Sequence, residues 1–248
     1  MAQLLTLDDN EVHIWRTDIS QVGLELLPTY RQLMSGQEKQ RNGRFHFEHS
    51  RTADVITRAL ARTVLSAYAN IEPADWTFSK GEHGKPEVSN KGINLRFNLS
   101  HSSKMVACAV SRSHAIGLDI EYIKRNNDVL AIADRYFSKL ELNALFALPV
   151  EQQQDRFFDY WTLKEAYMKA DGQGISLGLG NFSFAIENAD TISISFSDKI
   201  QQDPTAWQFR LLYPDPDHRM ALAVQGHQQD LLIRQFETVP MKTKLNRL

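Results

Sequence analysis

The chain has 248 residues, of which 42% are hydrophobic and 23% charged, enough apolar material for one large core or two small ones. Its 28 Lys and Arg residues nearly balance its 30 Asp and Glu residues, so the formal net charge is -2. This balance argues against a global basic field of the kind that holds nucleic acids or anionic membranes. Any phosphate-binding site must therefore be built from local groups.

The cysteine content and the N-terminal segment indicate the cellular compartment in which the protein is expected. The single cysteine, Cys108, lies in an apolar run and has no second cysteine with which to form a disulfide. We expect a buried thiol on a strand. The first nine residues end in acids and lack the basic start of a signal peptide, and no later segment is long enough to span a membrane. The sequence predicts a cytoplasmic protein.

The first half of the chain is predicted to contain helices followed by strands. A strand is predicted at residues 12–15, and a helix at about 50–69, where apolar residues recur on one helical face. A glycine and proline loop then precedes a strand at 95–99. Residues 105–110 and 115–123 are strand-like and are separated by four polar residues, which predicts a hairpin.

The second half shows a similar order of elements. A helical pattern runs from 128 to 146, breaks at Pro149 and the glutamine-rich residues 151–154, and resumes over 155–170. Alternating segments at 182–186 and 207–211 then predict strands. This order is typical of an α+β fold, and it permits two related subdomains that meet near residues 111–115. The short basic tail is predicted to be a frayed terminus.

Two carboxylates share one face of the strand predicted around residue 119. Strand alternation places Gly117, Asp119 and Glu121 on the same side. Like charges this close repel unless a cation or a proton lies between them. A few oxygen ligands fit magnesium, which keeps waters and takes its other ligands from substrate phosphates. The alternative is an exposed strand face that carries two solvated acids.

A second group of residues lies on the helix that precedes Gly172. Trp161, Glu165 and Met168 recur at i, i+4 and i+7, so apolar side chains flank Glu165. Lys169 follows Glu165 by one helical turn. Taken alone, this pattern is also typical of a core-facing stripe with a surface ion pair.

Candidate phosphate-binding groups occur in the first half. Ser100 and His101, at the end of a predicted strand, can donate hydrogen bonds to phosphate oxygens. Arg41, in a basic segment, and Lys85, in a glycine and proline turn, supply local cations. The alternatives are a histidine that serves only as a turn residue and surface cations that are simply solvated.

The two carboxylate-bearing segments together resemble the paired signature of the 4′-phosphopantetheinyl transferase superfamily. Gly117-x-Asp119-x-Glu121 is followed about forty residues later by Trp161-x-x-Lys164-Glu165-Ala166-x-x-Lys169, and Gly172-x-Gly174 agrees with the same pattern. Other segments are similar to blocks of the larger, surfactin-type branch, so the resemblance runs from about residue 35 to 182: Asn98-x-Ser100-His101-Ser102, Gly84-Lys85-Pro86 and the basic segment through Arg41.

The resemblance implies a fold and an activity. The fold would be two similar α+β subdomains, residues 1–113 and 114–248, related by a pseudo-twofold axis, with coenzyme A in the cleft between them. The protein would be a monomer that transfers the phosphopantetheine arm of coenzyme A to a serine of an apo acyl or peptidyl carrier protein and releases 3′,5′-ADP. No P-loop or kinase catalytic loop occurs in the sequence, which argues against those phosphotransferases. The alternative is a catalytically degenerate relative that only binds carrier proteins or coenzyme A.

The resemblance also implies residue roles. Asp119, Glu121 and Glu165 would hold Mg²⁺, and Glu165 would also accept the serine proton, directly or through a water. Lys169 would neutralise charge on the transferring phosphate. The remaining candidates for coenzyme A binding are Arg41, Arg51, Lys85, Ser100 and His101. Because carrier domains are acidic helical bundles, we expect a basic and apolar patch to receive them near the helix predicted at 134–146.

Overall fold

The computed structural model describes residues 4–81, 84–124, 128–226 and 231–247. The helices are α1 (Leu27–Leu33), α2 (Gly36–Asn42), α3 (Glu48–Ser66), α4 (Val129–Tyr136), α5 (Lys139–Phe146) and α6 (Val150–Asp171). The strands are β1 (Glu11–Asp18), β2 (Phe78–Lys80), β3 (Pro86–Val88), β4 (Arg96–Ser102), β5 (Met105–Ser111), β6 (Ile116–Tyr122), β7 (Phe182–Ile186), β8 (Ile192–Phe196), β9 (Trp207–Leu212), β10 (His218–Gln225), β11 (Leu232–Val239) and β12 (Lys242–Arg247). Within this part of the chain, no helix is long and apolar enough to cross a membrane.

The chain folds into two compact units, and both contain helices and mainly antiparallel sheet. The first unit comprises Met1–Ser113 and Leu231–Leu248, and the second comprises His114–Asp230. The α+β class predicted from the sequence is confirmed. The division at residue 113 coincides with the predicted one, but Leu231–Leu248 belong to the first unit instead of the second. The physical reason is that β11 pairs in parallel with β1.

The first unit is built on a five-stranded sheet in the order β12-β11-β1-β5-β4. Helix α3 packs against β5 and β4, and its buried stripe includes Val55, Ile56 and Leu60. Cys108 is buried on β5, as predicted, and burial raises the pKa of its thiol. The apolar spacing in α3 therefore provides core, as helical amphipathicity predicts.

Helix α2 is fixed to α3 by a buried arginine. Ser35 and Glu38 form a reciprocal capping box at the start of α2. The Glu38 carboxylate also accepts a hydrogen bond of 2.7 Å from Nη2 of Arg62, which is only 2% exposed. These contacts set the position of α2, near whose C-terminal end Arg41 lies.

The second unit contains a three-stranded antiparallel sheet in the order β6-β10-β9 and a two-stranded sheet, β7-β8. Helix α6 packs against both β6 and β10. A Cβ atom at Gly117 would overlap the Ala166 carbonyl oxygen and the Ala170 amide nitrogen. Only glycine permits helix and strand backbones to approach this closely.

Three predictions about local structure were wrong. Helix α6 begins at Val150, directly after Pro149, so the glutamine-rich segment is helical and does not interrupt the helix. The pattern over 128–146 forms two helices, because Ser138 and Glu141 make a capping box that starts α5. The hairpin predicted at 105–110 and 115–123 does not form, since β5 pairs with β1 and β4 while β6 pairs with β10.

The basic tail also differs from the prediction. Residues Lys242–Arg247 form β12, which pairs with β11, so this segment belongs to a sheet and is not a frayed terminus.

Candidate active site

Asp119 on β6 and Lys169 on α6 are in direct contact. The Lys169 ammonium lies 2.7 Å from Oδ1 of Asp119 and also donates a hydrogen bond of 3.1 Å to the Leu118 carbonyl oxygen. Asp119 is buried, whereas the Lys169 side chain is 29% exposed. The close approach at Gly117 brings the two segments together, because it lays α6 directly on this face of β6. Residues from both parts of the sequence signature therefore meet.

Glu165 lies one helical turn before Lys169 and is half-buried. Burial raises the pKa of its carboxyl group, the charge of Asp119 raises that pKa further, and the charge of Lys169 lowers it. The two carboxylates thus influence each other electrostatically. A divalent cation or a shared proton would relieve their repulsion, so Asp119 and Glu165 fit an oxygen-ligated metal.

Glu121 is half-buried and follows Asp119 by two residues on the same strand, so the two side chains leave the same face. Within the described ranges, no three His, Cys, Asp or Glu side chains converge as a preformed metal cluster. Magnesium is commonly held by one or two carboxylates together with waters and substrate phosphates. The three-carboxylate set of Asp119, Glu121 and Glu165 stays a prediction.

Lys164, which directly precedes Glu165, has a structural environment that the sequence did not reveal. Its side chain is fully buried and forms an ion pair of 2.8 Å with Oε2 of Glu141, which is also fully buried. The ammonium donates two further hydrogen bonds of 2.8 Å to the carbonyl oxygens of Leu179 and Phe182. Three acceptors therefore satisfy its three protons.

The partner carboxylate is equally well satisfied. Glu141 accepts hydrogen bonds from the backbone and the hydroxyl of Ser138, and its other oxygen accepts one of 3.0 Å from the Phe184 amide. The pair joins α5, α6 and β7. The capping pattern Ser138-x-x-Glu141 was readable in the sequence. The pairing with Lys164 carried no local signal.

The coenzyme A candidates lie on several elements of the first unit. Arg41 is exposed near the end of α2. Lys85 is half-buried and follows Gly84, whose φ of 83° is left-handed. On β4, Ser100 is buried and His101 exposed, because adjacent residues of a strand point to opposite faces.

Arg51 is engaged by groups in the first turn of α3 and in the segment just before it. Its Nε lies 2.8 Å from Oε2 of Glu48, and its Nη1 donates a hydrogen bond of 2.8 Å to the Phe45 carbonyl oxygen. The Glu48 side chain is 65% exposed, so a phosphate could replace it at little cost.

Models of one family match both units of the chain. The model described as 4′-phosphopantetheinyl transferase superfamily matches residues 115–223. The model described as 4′-phosphopantetheinyl transferase, N-terminal, matches residues 25–113.

Individual relatives agree with these matches. The chain is 37% identical over 224 residues to the 4′-phosphopantetheinyl transferase HetI of Nostoc sp., covering 90% of this chain and 91% of that protein. It is 31% identical over 193 residues to the 4′-phosphopantetheinyl transferase Sfp of Bacillus subtilis, covering 78% of this chain and 83% of that protein. Among solved structures, the holo-[acyl-carrier-protein] synthase of Neisseria meningitidis matches 46% of this chain and 98% of its own, with 18% identity and a TM-score of 0.38. The chain therefore belongs to the 4′-phosphopantetheinyl transferase superfamily.

Proposed function

We propose that this protein uses Mg²⁺, held by Asp119, Glu165 and Glu121, to transfer the phosphopantetheine arm of coenzyme A to a serine of an apo carrier protein. Membership of the family supports the transfer reaction and coenzyme A as its substrate. The observation that carries the assignment of the site is the contact of Asp119 with Lys169, one turn from the half-buried Glu165. The relatives named above are transferases, and none of them supports a degenerate binding protein.

The reaction joins the serine oxygen to the β-phosphorus of coenzyme A as the bond from that phosphorus to 3′,5′-ADP breaks. Glu165 accepts the serine proton, directly or through a water, and the burial that raises the pKa of its carboxyl group favours this role. When bound, Mg²⁺ supplies positive charge to the pyrophosphate oxygens. Asp119 and Glu121, on the adjacent strand, would hold this ion together with Glu165.

Lys169 supplies a mobile positive charge. In the structure its ammonium neutralises Asp119, while its exposed portion leaves the flexible four-carbon stem room to turn. As the pyrophosphate approaches, the ammonium exchanges the Asp119 oxygen for a phosphate oxygen. This exchange stabilises the charge that builds up during transfer.

The adenosine and 3′-phosphate end of coenzyme A is assigned to the first unit. Arg41, Lys85 and His101 supply cationic or donor groups, and Ser100 supplies a hydroxyl. Arg51 would exchange the exposed Glu48 carboxylate for a phosphate. These assignments rest on the resemblance of their sequence segments to the family.

Exposed apolar side chains on the second unit support a docking surface for the carrier. Leu140, Phe146 and Val150 are 67%, 50% and 77% exposed, and the exposed cations Arg135 and Lys139 lie beside them in the sequence. An apolar patch with basic neighbours suits an acidic helical partner. We place the carrier here, within and next to the segment predicted from the sequence. The monomeric state and the cytoplasmic location stay predictions.

The reaction is tested by mass spectrometry of a panel of apo carrier proteins incubated with the enzyme, coenzyme A and Mg²⁺. A gain of about 340 Da, the mass expected for phosphopantetheine transfer, that disappears when a chelator removes the metal would support the proposal. Unmodified carriers, despite measurable binding of coenzyme A, would instead favour the degenerate binding protein.

A further inference from the structure

A charged cluster outside the residues assigned above joins β10 to α6. Nη2 of Arg219 lies 2.7 Å from Oδ2 of Asp155, and its Nε lies 3.6 Å from Oδ1 of Asp159. The ring of Tyr213 lies 5.0 Å from the guanidinium carbon, which is cation-π distance. The Arg219 side chain is only 12% exposed, so this cluster fixes it between strand and helix.

Arg219 is also the cross-strand partner of a proposed metal ligand. The antiparallel register of β6 and β10 pairs Glu121 with Arg219 and Asp119 with Ala221. Directly opposed residues point to the same face, with Cβ atoms about 4.5 to 5.5 Å apart. The base of the Arg219 side chain therefore lies beside that of Glu121, while its guanidinium reaches the helix that carries Glu165.

The charged cluster around Arg219 is not arranged in a way that stabilises the fold efficiently. Asp159 is 7% exposed, and burial raises the pKa of its carboxyl group to about 6 even though Arg156 and Arg219 lower it. Among the described residues, Oδ1 of Asp159 and Nε of Arg219 are buried without hydrogen-bond partners. Buried, incompletely satisfied ion pairs often contribute less than apolar side chains of the same volume. A positional role accounts better for the cluster.

We propose that Arg219 is a positioning residue for the transfer reaction, packing beside Glu121 on the neighbouring strand and linking that strand pair through Asp155 and Asp159 to the helix that bears Glu165. This inference rests on the proposed function, in which Glu121 helps to hold the metal. Without Arg219, the Glu121 carboxylate would lose its orientation and the site would bind divalent cations more weakly.

The test is a titration of the protein with Mn²⁺ in the presence of coenzyme A, in which electron paramagnetic resonance reports the free ion. We expect Arg219→Gln to raise the Kd for Mn²⁺ about tenfold, in the range typical of residues that orient metal ligands. Arg219→Lys, which keeps the charge but not the fork, should recover part of the loss. The matched control is Arg210→Gln on β9. Arg210 is paired with Leu222, which points to the face of the sheet opposite that of its neighbour Ala221, so Arg210 lies on the other face of the sheet. This control should change the Kd less than twofold.

A double-variant cycle separates this inference from the proposed function. If Arg219 acts through Glu121, then Arg219→Gln should add little to the effect of Glu121→Gln on Mn²⁺ affinity. Additive losses, or a lower melting temperature with normal Mn²⁺ affinity in Arg219→Gln, would overturn the positioning role. Unchanged affinity in Glu121→Gln itself would instead remove Glu121 from the proposed metal site. If Arg219→Gln does not fold, the Arg219→Lys protein, alone and with Glu121→Gln, gives the same comparison.

Discussion

Two lysines five residues apart on α6 form ion pairs of nearly equal length in very different surroundings. Lys164 and Glu141 are fully buried at 2.8 Å, and every proton of the ammonium has an acceptor. Lys169 and Asp119 lie at 2.7 Å, but the Lys169 side chain is 29% exposed. Length alone therefore does not distinguish an ion pair that holds the fold from one that is available to a substrate. The two kinds of pair are distinguished by how deeply the lysine is buried and by how many of its ammonium protons already have an acceptor in the protein.

Glu165 lies between these lysines and should give the largest effect on activity. We expect Glu165→Gln to lower kcat about 10⁴-fold, or about 5.5 kcal/mol in activation free energy, because it removes both the base and a metal ligand. The melting temperature should change little. The control is Glu151→Gln, an exposed glutamate in the first turn of the same helix. Near-normal turnover in Glu165→Gln, measured by mass spectrometry of a carrier, would remove Glu165 from both roles.

Lys164→Met should give the largest effect on stability. It leaves Glu141 buried without a cation, and breaking a buried pair in this way typically costs about 3 to 5 kcal/mol. Urea unfolding measures this loss. The double variant Lys164→Met with Glu141→Leu should recover much of it, since both charges are then removed. A single variant as stable as the parent would mean that the pair does not hold α5 to α6.

Asp159, on the same helix, is an intermediate case because its buried carboxylate is incompletely paired. Burial raises the pKa of this group from 3.8 to about 6, so the folded state binds more protons than the unfolded state between these values. Its contribution to the free energy of unfolding therefore falls as pH rises through this range, by up to about 3 kcal/mol, and is constant above it. In Asp159→Asn this contribution is absent, so the free energy of unfolding of the variant should not show this fall when urea unfolding of parent and variant is compared at pH 4, 5, 6 and 7. Parallel curves for parent and variant would contradict the assigned pKa.

Lys169→Met should lower activity strongly and stability only slightly, the opposite of what we expect for Lys164→Met. We expect kcat/KM for coenzyme A to fall about 100-fold, or about 2.7 kcal/mol, because a charge on the transferring phosphate is lost. The free energy of unfolding should fall by less than in Lys164→Met, because this pair has solvent access through the Lys169 side chain. The control is Lys199→Met, at an exposed lysine of the same unit. A large loss of stability with normal kinetics would make Lys169 a structural residue like Lys164.

Local patterns in the sequence predicted much of this region. Strand alternation correctly placed Gly117 and Asp119 on one face, and helical periodicity correctly placed Glu165 and Lys169 one turn apart. The two segments are about fifty residues apart, and their contact followed only from the resemblance to a family. The physical reason for the contact, a helix backbone lying against Gly117, is a tertiary packing relation that no local sequence pattern carries.

Long-range pairings could not be read from the sequence. Lys164 and Glu141 lie on different helices, and the parallel pairing of β1 with β11 joins segments from opposite ends of the chain. Neither leaves a local periodic signal. The start of α6 was missed for another reason. The predicted break at Pro149 is present, since α5 ends at Phe146 and α6 begins at Val150, but the glutamine-rich residues that follow belong to α6 because glutamine is a good helix former.

The pairing of β1 with β11 has a consequence for biosynthesis. The second unit is one continuous stretch, His114–Asp230, and all of it is synthesised before β11. The first unit needs β11 beside β1 to complete its sheet, so it is finished last although its synthesis begins first. Until then the nascent chain presents an open edge of β1, a site at which unfinished proteins aggregate or recruit chaperones.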